Sequence, residues 1–164
     1  MLSDATHTQQ PTATGQPVLT STVLTVVLRV AGPVHTRIRA HAVGTPQPQV
    51  SIRSGDALVH LRDAEAAERV RQRWDAALPG ALRLRERVSQ TWLEPRPGTY
   101  PVAVSVELTD QVTVASRFVP ANTARHQPAY LATQVDQLLW QVCDQTAWRA
   151  IGDAWLAAYE HLRQ

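Results

Sequence analysis

The chain has 164 residues, of which 44% are hydrophobic, and its formal charge is only +2. A chain of this length and composition fits one domain with its own core. All 16 basic residues are arginine, a bias that indicates the codon supply of a GC-rich bacterial genome. The lone Cys143 excludes an internal disulfide, and the first residues carry no basic and apolar signal segment. We therefore expect a cytoplasmic protein without a membrane segment.

The first half of the chain predicts four strands followed by helix. Apolar residues at every second position indicate the strands, and Gly55 marks a hairpin turn. Asp63 stands where the N-cap of a helix belongs. The predicted segments are a disordered tail (1–17), strands near 24–30 and 34–43, a hairpin over 50–61, a helix over 63–78 and a short helix over 81–93.

The second half predicts a hairpin followed by two helices. Leu131, Val135, Leu138 and Val142 recur at helical spacing, and Asp144 is placed to cap the last helix. The predicted segments are a stiff Pro-rich connector (94–100), a hairpin over 101–119, an inserted helix over 131–142 and a final helix over 144–159.

Two parts of the chain align as diverged copies of each other. Residues 50–61 align on residues 104–115 at an offset of 54, and residues 63–78 align on residues 144–159 at an offset of 81. Asp63, Trp74, Asp144 and Trp155 are the matched anchors of this repeat: two helix caps and two core tryptophans. The two offsets predict a 27-residue insertion in the second copy.

Strand runs followed by helices predict the α+β class. We expect an antiparallel sheet with helices on one face, built from two diverged β-hairpin–helix repeats with an extra helix in the second. The first repeat (18–93) would carry two additional N-terminal strands, and the second (101–164) would complete one compact domain. The element order, four strands and then a helix in each half, is similar to that of the Whirly and PUR-type single-strand-binding folds, although no motif is shared.

One predicted strand carries a basic ladder. His35, Arg37, Arg39 and His41 alternate with uncharged residues, so their side chains share one face of the strand. Arg53 and His60, on the next hairpin, are expected to extend the patch. No acidic residue occurs between Asp4 and Asp56, as is typical of a surface that follows phosphates. The alternative is a solvated strand face whose arginines reflect codon supply and protect a sheet edge.

The C-terminal third carries most of the aromatic residues. Trp140 and Trp148 have no counterpart in the first copy, and apolar surface beyond the needs of one core predicts an interaction surface. The partner would be a second copy of the chain or another protein. The alternative is a larger core around the inserted helix.

Motifs for catalysis, metal binding and cofactor binding are absent from the sequence, so we expect no catalytic residue, metal or cofactor. Cys143 lies beside an apolar seam and is expected to be buried. The leading prediction is a non-catalytic protein-interaction or assembly module that uses the Trp-rich C-terminal helices. The alternative is a protein that binds DNA or RNA through the basic ladder, with little base specificity. A third possibility is an enzyme or small-ligand binder whose site leaves no sequence signature.

Overall fold

The computed structural model describes residues 25–42, 44–89, 93 and 103–164, so the expected tail (1–17) and connector (94–100) lie outside it. Within these ranges the chain has the predicted α+β fold. Its strands are β1 (Val26–Val30), β2 (Thr36–His41), β3 (Gln49–Ser54), β4 (Ala57–Leu61), β5 (Val104–Leu108), β6 (Val114–Val119), β7 (Tyr130–Val135) and β8 (Leu138–Val142). Its α-helices are α1 (Ala64–Ala76), α2 (Leu78–Ala81) and α3 (Gln145–Leu162).

The strands form two sheets rather than the single antiparallel sheet that we expected. Sheet A has the order β1-β8-β7-β6, and sheet B has the order β2-β3-β4-β5. Three strands of each sheet are antiparallel neighbours from one half of the chain, and the fourth comes from the other half and pairs in parallel. The expected hairpin over 101–119 is therefore wrong, because β5 belongs to sheet B and β6 to sheet A.

The two halves share one element order, in which four strands are followed by a helix. β1 corresponds to β5 and β2 to β6, each at an offset of 78 residues, so that Val26 matches Val104. β3, β4 and α1 match β7, β8 and α3 at an offset of 81, and the turns at Gly55 (φ 58°) and Asp136 (φ 48°) coincide. The offset of 54 and the 27-residue insertion are thus wrong. The loop that leads to β7 is only three residues longer than its counterpart.

Residues 131–142 form the β7–β8 hairpin, so the expected inserted helix is wrong. Leu131, Thr133 and Val135 face the core from β7, each opposite a core-facing residue of β8. Asp136 makes the turn between the two strands, and its carboxylate accepts a hydrogen bond from the Thr113 backbone N–H at 2.8 Å. The periodicity is therefore that of a half-buried strand, with alternate residues inside.

Both predicted helix caps are confirmed. The side chain of Asp63 accepts a hydrogen bond from the Glu65 N–H, and that of Asp144 accepts one from the Ala147 N–H. The expected helix over 81–93 is wrong for its described part, because residues 82–89 are irregular. The Arg85 and Glu86 carbonyls accept hydrogen bonds from backbone N–H groups in the first turn of α3, which would otherwise lack partners.

Each helix packs against the sheet of the other half. α1 contacts β6 of sheet A, α3 covers β2 and β3 of sheet B, and the two helices pack against each other. Trp74 and Trp155, the predicted core tryptophans, are both buried. On the faces turned away from the helices, Arg37, Arg39, His41 and Arg53 of sheet B and Ala115 and Arg117 of sheet A are exposed. No helix among the described residues combines the length and apolar character needed to cross a membrane.

Candidate functional site

The predicted basic ladder lies on the outer face of sheet B. Arg37, Arg39 and His41 are exposed at alternate positions of β2, and Ile38 between them turns towards the core. The antiparallel register with β3 places Arg53 directly opposite Arg37. The register thus identifies Arg37 as the residue beside which Arg53 extends the patch.

The ladder continues beyond β2 at two points. His35, exposed just before β2, borders a recess of about 460 Å³ together with Arg37, Arg53 and Gly55. His60 of β4 extends the patch on the other side. Ser51 of β3 lies between the two strands, since it pairs with Arg39 of β2 on one side and with His60 of β4 on the other. Arg37, Arg39, His41, Arg53 and His60 surround one open depression, with a volume of about 490 Å³. The residues lining the depression are Arg37, Arg39, His41, Ser51, Arg53, Asp56, Leu58, His60, Ala103, Val104 and Ser105.

The arginines of this face form no ion pair with the acidic residues that the structure describes. Among the described residues, no carboxylate oxygen lies within 4.0 Å of a side-chain nitrogen of Arg37, Arg39 or Arg53. Glu107, on the far strand β5, is paired with Arg62 at 2.9 Å. Asp56 lines the depression without an ion pair. Arg37, Arg39 and Arg53 therefore form no ion pair within the described part of the chain, while Asp56 and Glu107, the cross-strand neighbour of His60, bring negative charge to the same face.

Polar groups between the basic side chains complete the surface. The Arg53 Nε–H donates to the Gly55 carbonyl at 3.2 Å, which fixes one side of its guanidinium. Gln49 Nε2 and His60 Nδ1 lie 3.1 Å apart, within hydrogen-bond distance. Sequence reasoning missed Gln49 and Ser51 as members of this face, because only the β2–β3 register shows that they stand beside the ladder.

Sheet A offers an internal comparison. Its five positions that match Arg37, Arg39, His41, Arg53 and His60 are occupied by Ala115, Arg117, Val119, Gln134 and Gln141. Ala115 stands opposite Gln134 where Arg37 stands opposite Arg53. Only one of the five, Arg117, is charged. Arg29 of β1 adds a second arginine to this face beside Gln141, at the position that Glu107 occupies in sheet B. The scaffold thus folds without arginines at the positions of Arg37 and Arg53, so this pair is not a requirement of the fold.

The two tryptophans predicted to form an interaction surface differ in their burial. Trp140 is on β8, is 2% exposed and points into the core. Trp148 is on α3, is half-buried, and packs against the core, while its carbonyl accepts a hydrogen bond from Trp74 Nε1 at 3.1 Å. The core thus takes up Trp140 completely and Trp148 in part.

The remaining chemistry-bearing groups are structural. Burial raises the pKa of the Cys143 thiol to about 12, so this thiol stays protonated at neutral pH and is a poor nucleophile. The fully buried Asp144 carboxylate accepts hydrogen bonds from the backbone N–H groups of Ala147, Gly32 and Val88. Within the described residues, no three His, Cys, Asp or Glu side chains cluster as they would around a metal ion.

No protein-family model matches this chain, and neither a curated protein nor a solved structure gives a significant match to it.

Proposed function

We propose that this protein binds nucleic acid through the outer face of sheet B. The observation that carries the proposal is the concentration of Arg37, Arg39, His41, Arg53 and His60 on one open face, where the five matching positions of sheet A hold one arginine, Arg117. A folding requirement would act on both sheets alike. Arginines that cluster on β2 and β3, and that form no ion pair within the described residues, are better explained by an anionic ligand.

The spacing of the basic groups suits a chain of phosphates. Side chains two residues apart on a strand are separated by about 6.6 Å, so Arg37, Arg39 and His41 form a row of regularly spaced cations. Arg53 and His60 widen this row across the neighbouring strands. No aromatic side chain among the described residues lines the depression. We therefore expect phosphate contacts to supply the affinity, with little preference for base sequence.

The test is a binding measurement by fluorescence anisotropy with labelled DNA and RNA at low salt. The double variant Arg37→Gln/Arg39→Gln should bind at least tenfold more weakly, because two charge-assisted contacts are lost. Arg117→Gln is the matched control, since Arg117 occupies in sheet A the position of Arg39 in sheet B. Its affinity should equal that of the wild type. A wild-type protein that forms no complex with either nucleic acid would refute the proposal.

A second candidate is the non-catalytic protein-interaction or assembly module. The observation in its favour is apolar exposure on the C-terminal helix, where Leu156 is 42% exposed and Trp148 is half-buried. Leu156→Ser should then weaken association with a second copy or another protein while the fold is kept. A light-scattering mass that is monomeric over a wide concentration range would exclude self-association.

A further inference from the structure

We infer that Arg37 and Arg53 together form the anchoring subsite for one phosphate group. This inference rests on the proposed binding face and assigns a role to one pair within it. Arg37 of β2 and Arg53 of β3 are direct cross-strand partners. Their Cβ atoms are therefore about 5 Å apart on the same face. Two guanidinium groups at this distance can reach the oxygens of a single phosphate.

The pair costs folded stability in the free protein. Like charges directly opposite each other on neighbouring strands are destabilising, and Arg39 adds a third positive charge two residues along β2. No described carboxylate lies within ion-pair distance of Arg37 or Arg53. A bound anion would remove this repulsion, whereas a surface chosen for folding alone would have avoided it.

The matched pair in sheet A supports this interpretation. Ala115 and Gln134 stand at the corresponding positions, opposite each other in the same antiparallel register. Neither side chain is charged, and the sheet forms with the same strand order. The arginine pair is therefore an addition to the scaffold rather than a part of it.

The surroundings of the pair leave room for a ligand on both sides. Arg37 and Arg53 line the depression of about 490 Å³ and also the recess of about 460 Å³ next to it. They stand where these two spaces meet. The Arg53 Nε–H is held by the Gly55 carbonyl at 3.2 Å. This bond orients the guanidinium, and its terminal N–H groups make no other hydrogen bond within the described residues.

The test uses the full chain and thermal unfolding in a low-salt buffer free of phosphate, with inorganic pyrophosphate as the probe. Without the probe, Arg37→Gln and Arg53→Gln should each raise Tm by about 1–4 °C because the repulsion is gone. Pyrophosphate should raise the Tm of the wild type and of the Arg117→Gln control. It should leave the Tm of Arg53→Gln unchanged. Arg53→Lys keeps the charge but loses the planar fork, so it should show the wild-type Tm without the probe and a reduced shift with it.

Oligonucleotide binding by the same variants separates this inference from the proposed function. Arg53→Gln should lower oligonucleotide affinity about tenfold. If wild-type protein binds oligonucleotide but Arg53→Gln binds as tightly as Arg117→Gln, the subsite is wrong and the binding face stands. If pyrophosphate stabilises the wild type through Arg53 but no oligonucleotide binds, the subsite stands and its ligand is a free phosphate compound. A lower Tm in Arg53→Gln without the probe, together with no pyrophosphate effect on the wild type, would overturn the inference.

Discussion

Trp74 of α1 and Trp140 of β8 meet edge to face, with ring centroids 6.4 Å apart and ring planes at 88°. The contact joins the helix of the first half to a strand of the second half. Trp74 Nε1 also donates to the Trp148 carbonyl at 3.1 Å, so its ring is fixed from two sides. An added Cβ at Gly152 would stand 3.3 Å from this ring, which shows how closely α3 approaches it. The tryptophans thus unite the two halves in one core.

Replacement of Trp140 should therefore affect stability rather than association. Trp140→Ala removes a side chain that is 2% exposed, so the free energy of unfolding should fall by about 3–5 kcal/mol. Leu82→Ala is the control, because Leu82 is 62% exposed and its loss should change stability by less than about 0.5 kcal/mol. Urea unfolding gives both values. If Trp140→Ala kept wild-type stability and instead changed the light-scattering mass, Trp140 would belong to an interface after all.

The two helix caps should differ in strength although they match in sequence. Asp63 caps α1 with one backbone hydrogen bond, from the Glu65 N–H. Asp144 caps α3 and also holds the Gly32 and Val88 N–H groups at 2.7 and 3.1 Å. Asp63→Ala should cost about 1 kcal/mol. Asp144→Ala should cost about 3 kcal/mol or more, because buried N–H groups lose their acceptor. Equal losses of unfolding free energy in urea would contradict this account of Asp144.

Cys143 should be unreactive in the folded protein. Burial raises the pKa of its thiol to about 12, above the value of about 8.5 for an unfolded thiol. At pH 8 Ellman's reagent should react slowly with the native protein and at once in urea. Below pH 8.5 the thiol is protonated in both the folded and the unfolded protein. Between pH 8.5 and about 12 it is protonated only in the folded protein. The stability difference between wild type and Cys143→Ala should therefore shrink as pH rises towards 12. Fast labelling of the native protein would show that the thiol is accessible.

The sequence predicted the features that depend on local pattern. Alternation along β2 was enough to place Arg37, Arg39 and His41 on one face, and the two aspartate caps followed from their position before an apolar helical face. Residues 131–142 were predicted as a helix, because Leu131, Val135, Leu138 and Val142 satisfy helical spacing. The same four residues also lie at alternate positions of two short strands. The burial of Thr133 and Trp140 completes the alternating pattern of a strand, and only the structure shows that these two residues are buried.

The features that depend on contacts distant in sequence could not be predicted. The parallel pairing of β1 with β8 joins Val26 to Leu138, and that of β4 with β5 joins Ala57 to Val104. No local pattern specifies these partners. The hairpin alignment therefore matched β3 and β4 to the wrong strands. The Arg37–Arg53 pair was also hidden, since it follows from the β2–β3 register.

The most direct test of the binding face is the salt dependence of nucleic-acid affinity. If three or four phosphates are neutralised, the logarithm of the binding constant for a single strand should fall against the logarithm of salt concentration with a slope of about −2 to −3. The double variant Arg37→Gln/Arg39→Gln should make this slope shallower by about 1.4, because each of the two lost phosphate contacts contributes about 0.7. Arg117→Gln should leave it unchanged. Absence of a complex at low salt, or the same slope in the double variant as in the wild type, would contradict the assignment of this face.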